Sequence, residues 1–186
     1  PLTLNSLRQW GVQKLEHLED VLEHFLGKCL INIDRSWFYW KEIIDLLDRM
    51  DMKDHILLKS GVEEELLKEL EESGTGIMYM PIMKSPEEWD IIQKYDINVA
   101  AAELIFTDLD SEFLSPEFMG RLKIAWIAPW VNAITLNDEI ILSGLLDDNN
   151  AIKIGFDETW GKLIDLGFEI IQTDWPALLK GYISNK

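Results

Sequence analysis

Apolar and polar positions along this chain switch repeatedly between a helical period and a strand period. From Leu15 to Phe25 the apolar residues Leu15, Leu18, Val21, Leu22 and Phe25 recur at helical spacing. Gly27 ends that helix, and Lys28 to Asp34 then reads as a strand. A second helix is predicted from Trp37 to Met50, with Ile43, Ile44, Leu46 and Leu47 on or near its buried side. His55 to Lys59 is a short apolar strand, Glu63 to Glu72 a helix closed by Ser73-Gly74, and Gly76 to Met83 a strand. Ser85-Pro86-Glu87-Glu88 starts a helix that runs to about Tyr95, because a serine hydroxyl accepts from early helical N–H groups and proline suits the first helical position. Val99 to Phe106 is a strand, Ser115-Pro116-Glu117 repeats the start signal for a short helix, and Lys123 to Trp130 is a strand. A helix over Thr159 to Leu166, with Asp157 as its expected cap, leads to a strand over Gly167 to Thr173. Asp174-Trp175-Pro176 opens a last helix to about Ile183.

The pattern amounts to about six strands, each followed by a helix, at roughly 25 to 30 residues per unit. Several strands are apolar on both sides, as a parallel sheet covered on both faces requires. Two architectures fit, an open doubly wound sheet or a (β/α) barrel; a GxGxxG or Walker fingerprint would favour a nucleotide-binding open sheet, and neither is present. In Ile31-Asn32-Ile33-Asp34 the two polar residues share one face and the isoleucines the other; Gln172 and Asp174 share a face in the same way. A (β/α) barrel of the TIM type uses this pattern, since its interior becomes polar at the C-terminal ends of the strands. Such a barrel has eight strands and typically about 250 residues. The expectation is therefore a single partial barrel domain, residues 1–186, lacking its first two βα units. The missing part is expected before the leading helix, which has no strand of its own, and the chain starts at Pro1 rather than Met.

Composition narrows the function classes. Apolar residues make up 47% of the chain, enough for a packed core and against disorder. No apolar run approaches the roughly 18 residues that span a bilayer, and no signal peptide is visible, so a soluble protein is expected, cytoplasmic or bacterial periplasmic or secreted. The net charge of −17, from 34 acidic and 17 basic residues, repels phosphate backbones and argues against nucleic acid as a partner. Cys29 is the single cysteine, so neither an intrachain disulfide nor a cysteine zinc site forms, and its apolar neighbours Leu30 and Ile31 suggest a small core residue.

Two stretches carry a family resemblance. Leu18-Glu19-Asp20-Val21-Leu22 followed by Gly27-Lys28-Cys29-Leu30-Ile31-Asn32-Ile33-Asp34 resembles the entry to the third strand of glycerophosphodiester phosphodiesterases. Gly167-Phe168-Glu169-Ile170-Ile171-Gln172-Thr173-Asp174-Trp175-Pro176 resembles that family's last strand and its following turn. Between them, Ile56 to Ser60, Ala101 to Leu104 and Ala125 to Ile127 fall where further barrel strands belong, and Asp157-Glu158-Thr159-Trp160-Gly161 is similar to a branch common among gut bacteria. The resemblance implies a metal-dependent hydrolase of lipid metabolism. It cleaves a small glycerophosphodiester into glycerol 3-phosphate and an alcohol, with two histidines as acid and base and Mg²⁺ or Ca²⁺ held by carboxylates. The family's histidines and its glutamate-x-aspartate pair belong to the first strands and have no counterpart in this stretch, which is predicted inactive alone. Asp34 matches the third-strand carboxylate, where the family more often has glutamate, and Trp175 stands where the last turn usually has arginine.

Within that frame each candidate has a plain alternative. Asp34 ends an apolar strand, where a carboxylate needs a metal ion or a basic neighbour. Lys59 ends the next strand and either holds a substrate phosphate or pairs with Asp34. Glu103 is a site carboxylate or the partner of Lys59. Trp126 and Trp130 form an apolar wall for substrate or pack in the core. His17, His24 and His55 lie away from strand C-termini and read as structural or surface residues. The long segment from Val131 to Phe156, with Asp138, Glu139, Asp147 and Asp148, is a lid over the site or a surface insertion. A different class of function remains open beside the enzyme: a degenerate, non-catalytic barrel used for binding or assembly. Its uncovered sheet edges would favour a homo-oligomer.

Overall fold

The fold is taken from a computed structural model, which describes residues 16–137 and 139–186. Leu15, the first apolar position of the predicted leading helix, and Asp138 lie outside the described residues.

Helix α1, Leu18–Phe25, buries Leu22 and leads to strand β1, Ile31–Ile33. A 3₁₀ turn at Trp37–Tyr39 runs into α2, Trp40–Met50, which buries Trp40, Ile43 and Leu47 at the expected period. Strand β2, Ile56–Gly61, is followed by α3, Glu64–Ser73, which ends at Gly74 in the left-handed conformation that glycine adopts without penalty. Strand β3, Met78–Met83, α4, Glu88–Ile92, and β4, Ala101–Leu104, come next. Helix α5, Pro116–Ile124, leads to β5, Ala128–Asn132. Helix α6, Asp148–Ile154, a π turn at Asp157–Gly161 and the short α7, Lys162–Asp165, precede β6, Ile170–Gln172, and α8, Pro176–Ser184.

The six strands form one parallel sheet in chain order, β1 to β6. Each strand lies beside its successor, and the sheet curls into a half-barrel with β1 and β6 at its edges. Strand alternation then sorts side chains onto two surfaces. The convex surface meets the helices in the main core, where Leu58, Tyr79, Leu104 and Val131 pack with Leu22, Leu47, Phe118 and Leu163. The concave surface has a smaller apolar floor of Leu57, Met80 and Ala101, flanked by Ala128, Trp130 and Ile170.

Several boundaries differ from the sequence reading. Residues 123–124, expected to begin a strand, are the last turn of α5, and the strand starts five residues later at Ala128. The helix wins because Ser115 caps it, accepting from Phe118 N at 3.2 Å, and because Leu122 completes its buried face. Ser85 does not cap α4; the Glu88 carboxylate accepts from the backbone N–H groups of Lys84 (2.6 Å) and Ser85 (3.3 Å) instead. Asp157 does not cap a helix either, and accepts from the Tyr182 hydroxyl at 2.6 Å. Cys29 is exposed rather than in the core, because β1 begins only at Ile31 and the approach to this edge strand lies at the surface. The segment after β5 contains helix α6; within it Ser143 bridges to Phe106 and Leu146 is buried, while Leu136, Ile140 and Leu145 are exposed.

Candidate functional site

The concave face changes character toward the C-terminal ends of the strands. Its lower positions are Leu57, Met80, Ala101 and Ala128; its upper positions are Asp34, Lys59, Glu103, Trp130, Asn132 and Gln172, placed there by two-residue alternation. Three of the charged residues meet. Lys59 Nζ donates to Glu103 Oε2 at 3.0 Å and lies 3.5 Å from Asp34 Oδ1. Lys59 is 4% exposed and Glu103 3%, while the Asp34 side chain is 52% exposed. The buried pair fixes the lysine head between two strand ends, and Asp34 is the arm of this triad that reaches solvent. Asp34 Oδ1 also accepts from the Arg35 backbone N–H at 2.9 Å. Arg35 takes a positive φ of 53°, so the chain turns sharply as it leaves β1.

Trp130 stands directly beside Glu103 in the β4–β5 register and beside Ile170 in the β5–β6 register. Gln172 follows two residues after Ile170, on the same face. Among the described residues, Trp130 Nε1, Gln172 Oε1 and Asn32 Oδ1 are buried and without a hydrogen-bond partner. All three belong to the concave face, on β5, β6 and β1.

Trp126 is not part of this wall. It sits in the turn before β5, at the N-terminal end of the strand, with φ of 61° and 92% exposure. The late start of β5 puts it at the opposite end of the sheet from Glu103. His17 and His24 flank and end α1 at the surface, and His55 lies in the 3₁₀ turn before β2, so none of the three approaches the triad. Ser60 and Tyr79 share a hydrogen bond at 2.9 Å behind the sheet, where burial pushes the Tyr79 phenol up to about 12; this pair belongs to the core.

One residue near the site is hidden in an acidic run. Asp148 is 2% exposed at the start of α6. Its Oδ1 accepts from Trp160 Nε1 (3.0 Å) and Thr173 Oγ1 (2.8 Å), and its Oδ2 from Asp174 N (2.7 Å). It thereby holds the turn that follows β6 on the site side. Burial raises its carboxyl above the ordinary value, against the lowering effect of these hydrogen bonds. The only sequence signal is its place in Asp147-Asp148-Asn149-Asn150, which reads as solvated loop.

Lys59 is shared by two carboxylates, so the triad carries one net negative charge, with Asp34 as its exposed member. A metal ion finds few ligands here. Among the described residues no group of three or more His, Cys, Asp or Glu gathers in a way that could hold one. Asp34 Oδ2 takes no part in the contacts to Arg35 and Lys59, but it is one hard oxygen where Mg²⁺ or Ca²⁺ takes six or more. The described residues alone therefore do not make a metal site.

Comparison with known proteins places this geometry. A family model, DUF4996, described as a domain of unknown function, matches residues 79–183, more than half of the chain. The chain belongs to this family. The matched span runs from β3 through nearly all of α8, so Glu103, Trp130, Asp148 and Gln172 lie inside it, and Asp34 and Lys59 outside. Among solved structures, a glycerophosphoryl diester phosphodiesterase from Parabacteroides distasonis superposes with a TM-score of 0.67 at 15% identity, over 92% of this chain. The resemblance to glycerophosphodiester phosphodiesterases thus holds at the level of the fold. The chain spans 56% of that protein's length. No curated protein matches the sequence. Among the described residues no helix is long and apolar enough to cross a membrane.

Proposed function

We propose that these residues form the C-terminal wall of a (β/α) barrel that hydrolyses glycerophosphodiesters, releasing glycerol 3-phosphate and an alcohol. The observation that carries this reading is the Asp34–Lys59–Glu103 triad. A buried lysine is pinned at the C-terminal ends of barrel strands, where active sites of this architecture lie, in a sheet that superposes on a phosphodiesterase. Lys59 presents positive charge to a phosphodiester oxygen, Glu103 orients the lysine, and Trp130 lines the substrate groove. The acid and base histidines, and most ligands of a Mg²⁺ or Ca²⁺ ion, belong to two preceding βα units between β6 and β1. Asp34 contributes one ligand from this wall.

The test uses the longest natural chain that contains these residues, assayed for glycerol 3-phosphate release with Mg²⁺ or Ca²⁺. Turnover is expected, with loss on chelation and a fall of at least about a hundredfold in Lys59→Met, the order of effect seen when one preorganised charge is removed from a transition-state site. Residues 1–186 alone should be inactive. An intact protein without turnover across metals and head groups would remove the proposal. It would leave the second reading, a non-catalytic barrel used in binding or assembly, which the two edge strands among the described residues favour.

A further inference from the structure

Asp148 is placed at odds with its chemistry. It is 2% exposed, and among the described residues it forms no ion pair. The charge that bears on it is that of Asp174, which repels it. A carboxylate so placed depends on hydrogen bonds alone, and an uncharged side chain would avoid the loss of hydration. Holding a turn does not by itself require a charge. The partners show what the carboxylate supplies. All three are donors, one from the π turn and two from the turn after β6. An ionised carboxylate only accepts and meets all three at once, whereas an asparagine amide brings two donors of its own.

Two backbone bonds tie this residue into the sheet. The Asp148 N–H donates to Ala133 O at 2.8 Å, directly after β5, and the Ala133 N–H donates at 2.8 Å to the carbonyl of Gln172, the last residue of β6. The β5–β6 register ends at Asn132 with Gln172. Asp148 therefore continues the joint between the two strands beyond their last pair, at their C-terminal ends. Among the described residues β6 has no second strand beside it, so this joint sets where its end lies. A relay carries the restraint onward. Thr173 Oγ1 gives its one proton to Asp148, which leaves its lone pairs to accept from the Trp175 N–H at 2.9 Å. The Asp174 N–H goes to the same carboxylate. One buried group thus sets the conformation of Thr173-Asp174-Trp175.

We infer that Asp148 is a positioning residue: it fixes the end of β6 and the turn Thr173–Trp175 as one rim of the polar end of the concave face. This rests on the reading that the diester is hydrolysed at that end. Asp148 acts through Thr173 and the Asp174 backbone, without touching substrate. Trp160, its third donor, belongs to the main core and anchors the carboxylate only.

Three variants of the intact protein separate positioning from plain stabilisation. Asp148→Asn and Thr173→Val disturb the turn. Trp160→Phe removes one hydrogen bond to the carboxylate and leaves the two from the turn in place. Thr173→Val carries the test if Asp148→Asn does not fold. Under conditions where the variants are folded by circular dichroism, kcat for glycerol 3-phosphate release should fall about tenfold or more in the two turn variants, with KM within about twofold, part of the roughly hundredfold loss that a misplacement of about 1 Å brings. Trp160→Phe should keep the parent kcat. Amide hydrogen exchange at Asp174 and Trp175 should quicken about tenfold in the two turn variants, the effect of about one lost hydrogen bond, and stay slow in Trp160→Phe. A kcat that follows the folded fraction in all three variants, or turn amides that exchange alike in the parent and both turn variants, would overturn the inference while turnover by the parent keeps the hydrolase reading. A parent without turnover, whose turn amides quicken only in Asp148→Asn and Thr173→Val, would overturn the hydrolase reading and keep Asp148 as the group that fixes this rim.

Discussion

Lys59 puts a full charge into a strand whose preceding residues, Ile56, Leu57 and Leu58, are all buried. Taking a lysine and a glutamate out of water costs several kcal/mol each, which their mutual attraction offsets only while both are present. Lys59→Met should therefore strand Glu103 and cost about 3–5 kcal/mol, read by chemical denaturation. The double variant Lys59→Met/Glu103→Leu should recover most of that loss. A single variant costing less than about 1 kcal/mol would mean that the pair is far wetter than its burial indicates. This pairing is legible in the amino-acid sequence, because a charged residue inside an apolar strand has few ways to be satisfied. Lys59 with Asp34, and Glu103 with Lys59, are among them. The place of Trp126 is not legible, since it depends on whether Lys123-Ile124 continues a helix or starts a strand, and both periods fit so short a run. Trp130 reads as a strand residue and is one, but its unmet N–H depends on neighbours from other strands and leaves no mark in the local pattern.

At the scale of elements, the alternation of strand and helix is readable along the whole chain, and the ends of elements are not. Helix α6 escapes the pattern because Asp148-Asn149-Asn150 has the composition of a loop. Its role is set by three donors that arrive from the π turn and from the end of β6. Asp148→Asn would present an amide N–H₂ to at least one of them and should cost about 1–3 kcal/mol, the penalty of an unmet buried donor. The pH dependence has a definite sign. The folded Asp148 carboxyl is raised above its ordinary value, so the folded protein binds this proton more tightly than the unfolded chain does. Its contribution penalises the charged form at neutral pH, and the penalty is relieved as pH falls through the folded value. Denaturation midpoints of the parent and of Asp148→Asn, compared from neutral to acid pH, should move apart on acidification, with the parent gaining relative to the variant. Midpoints that converge would show that hydrogen bonding to the carboxylate outweighs its burial.

At the scale of the molecule, polar pairs at strand ends point to a curled sheet with one polar mouth, and the half-barrel has that mouth. Among the described residues, β1 and β6 each have a strand neighbour on one side only. Leu26 and Leu30, before β1, and Trp175 and Leu178, after β6, add exposed apolar surface near both edges. Produced as residues 1–186, the chain should self-associate, with a sedimentation coefficient that rises with concentration. A concentration-independent monomer with one cooperative melting transition would oppose this.

The order of the sheet also governs how it comes together. Each strand pairs with its immediate successor, and the paired residues lie about twenty to forty positions apart in the chain, as in Leu57 with Met78 and Trp130 with Ile170. Among the six described strands, none waits for a partner from the far end of the sequence. On a ribosome the sheet can therefore extend one strand at a time as the chain emerges, each new strand docking on an edge already formed. Shortening the chain from its C-terminal end would accordingly subtract strands singly, β6 first, rather than dissolve the sheet at once.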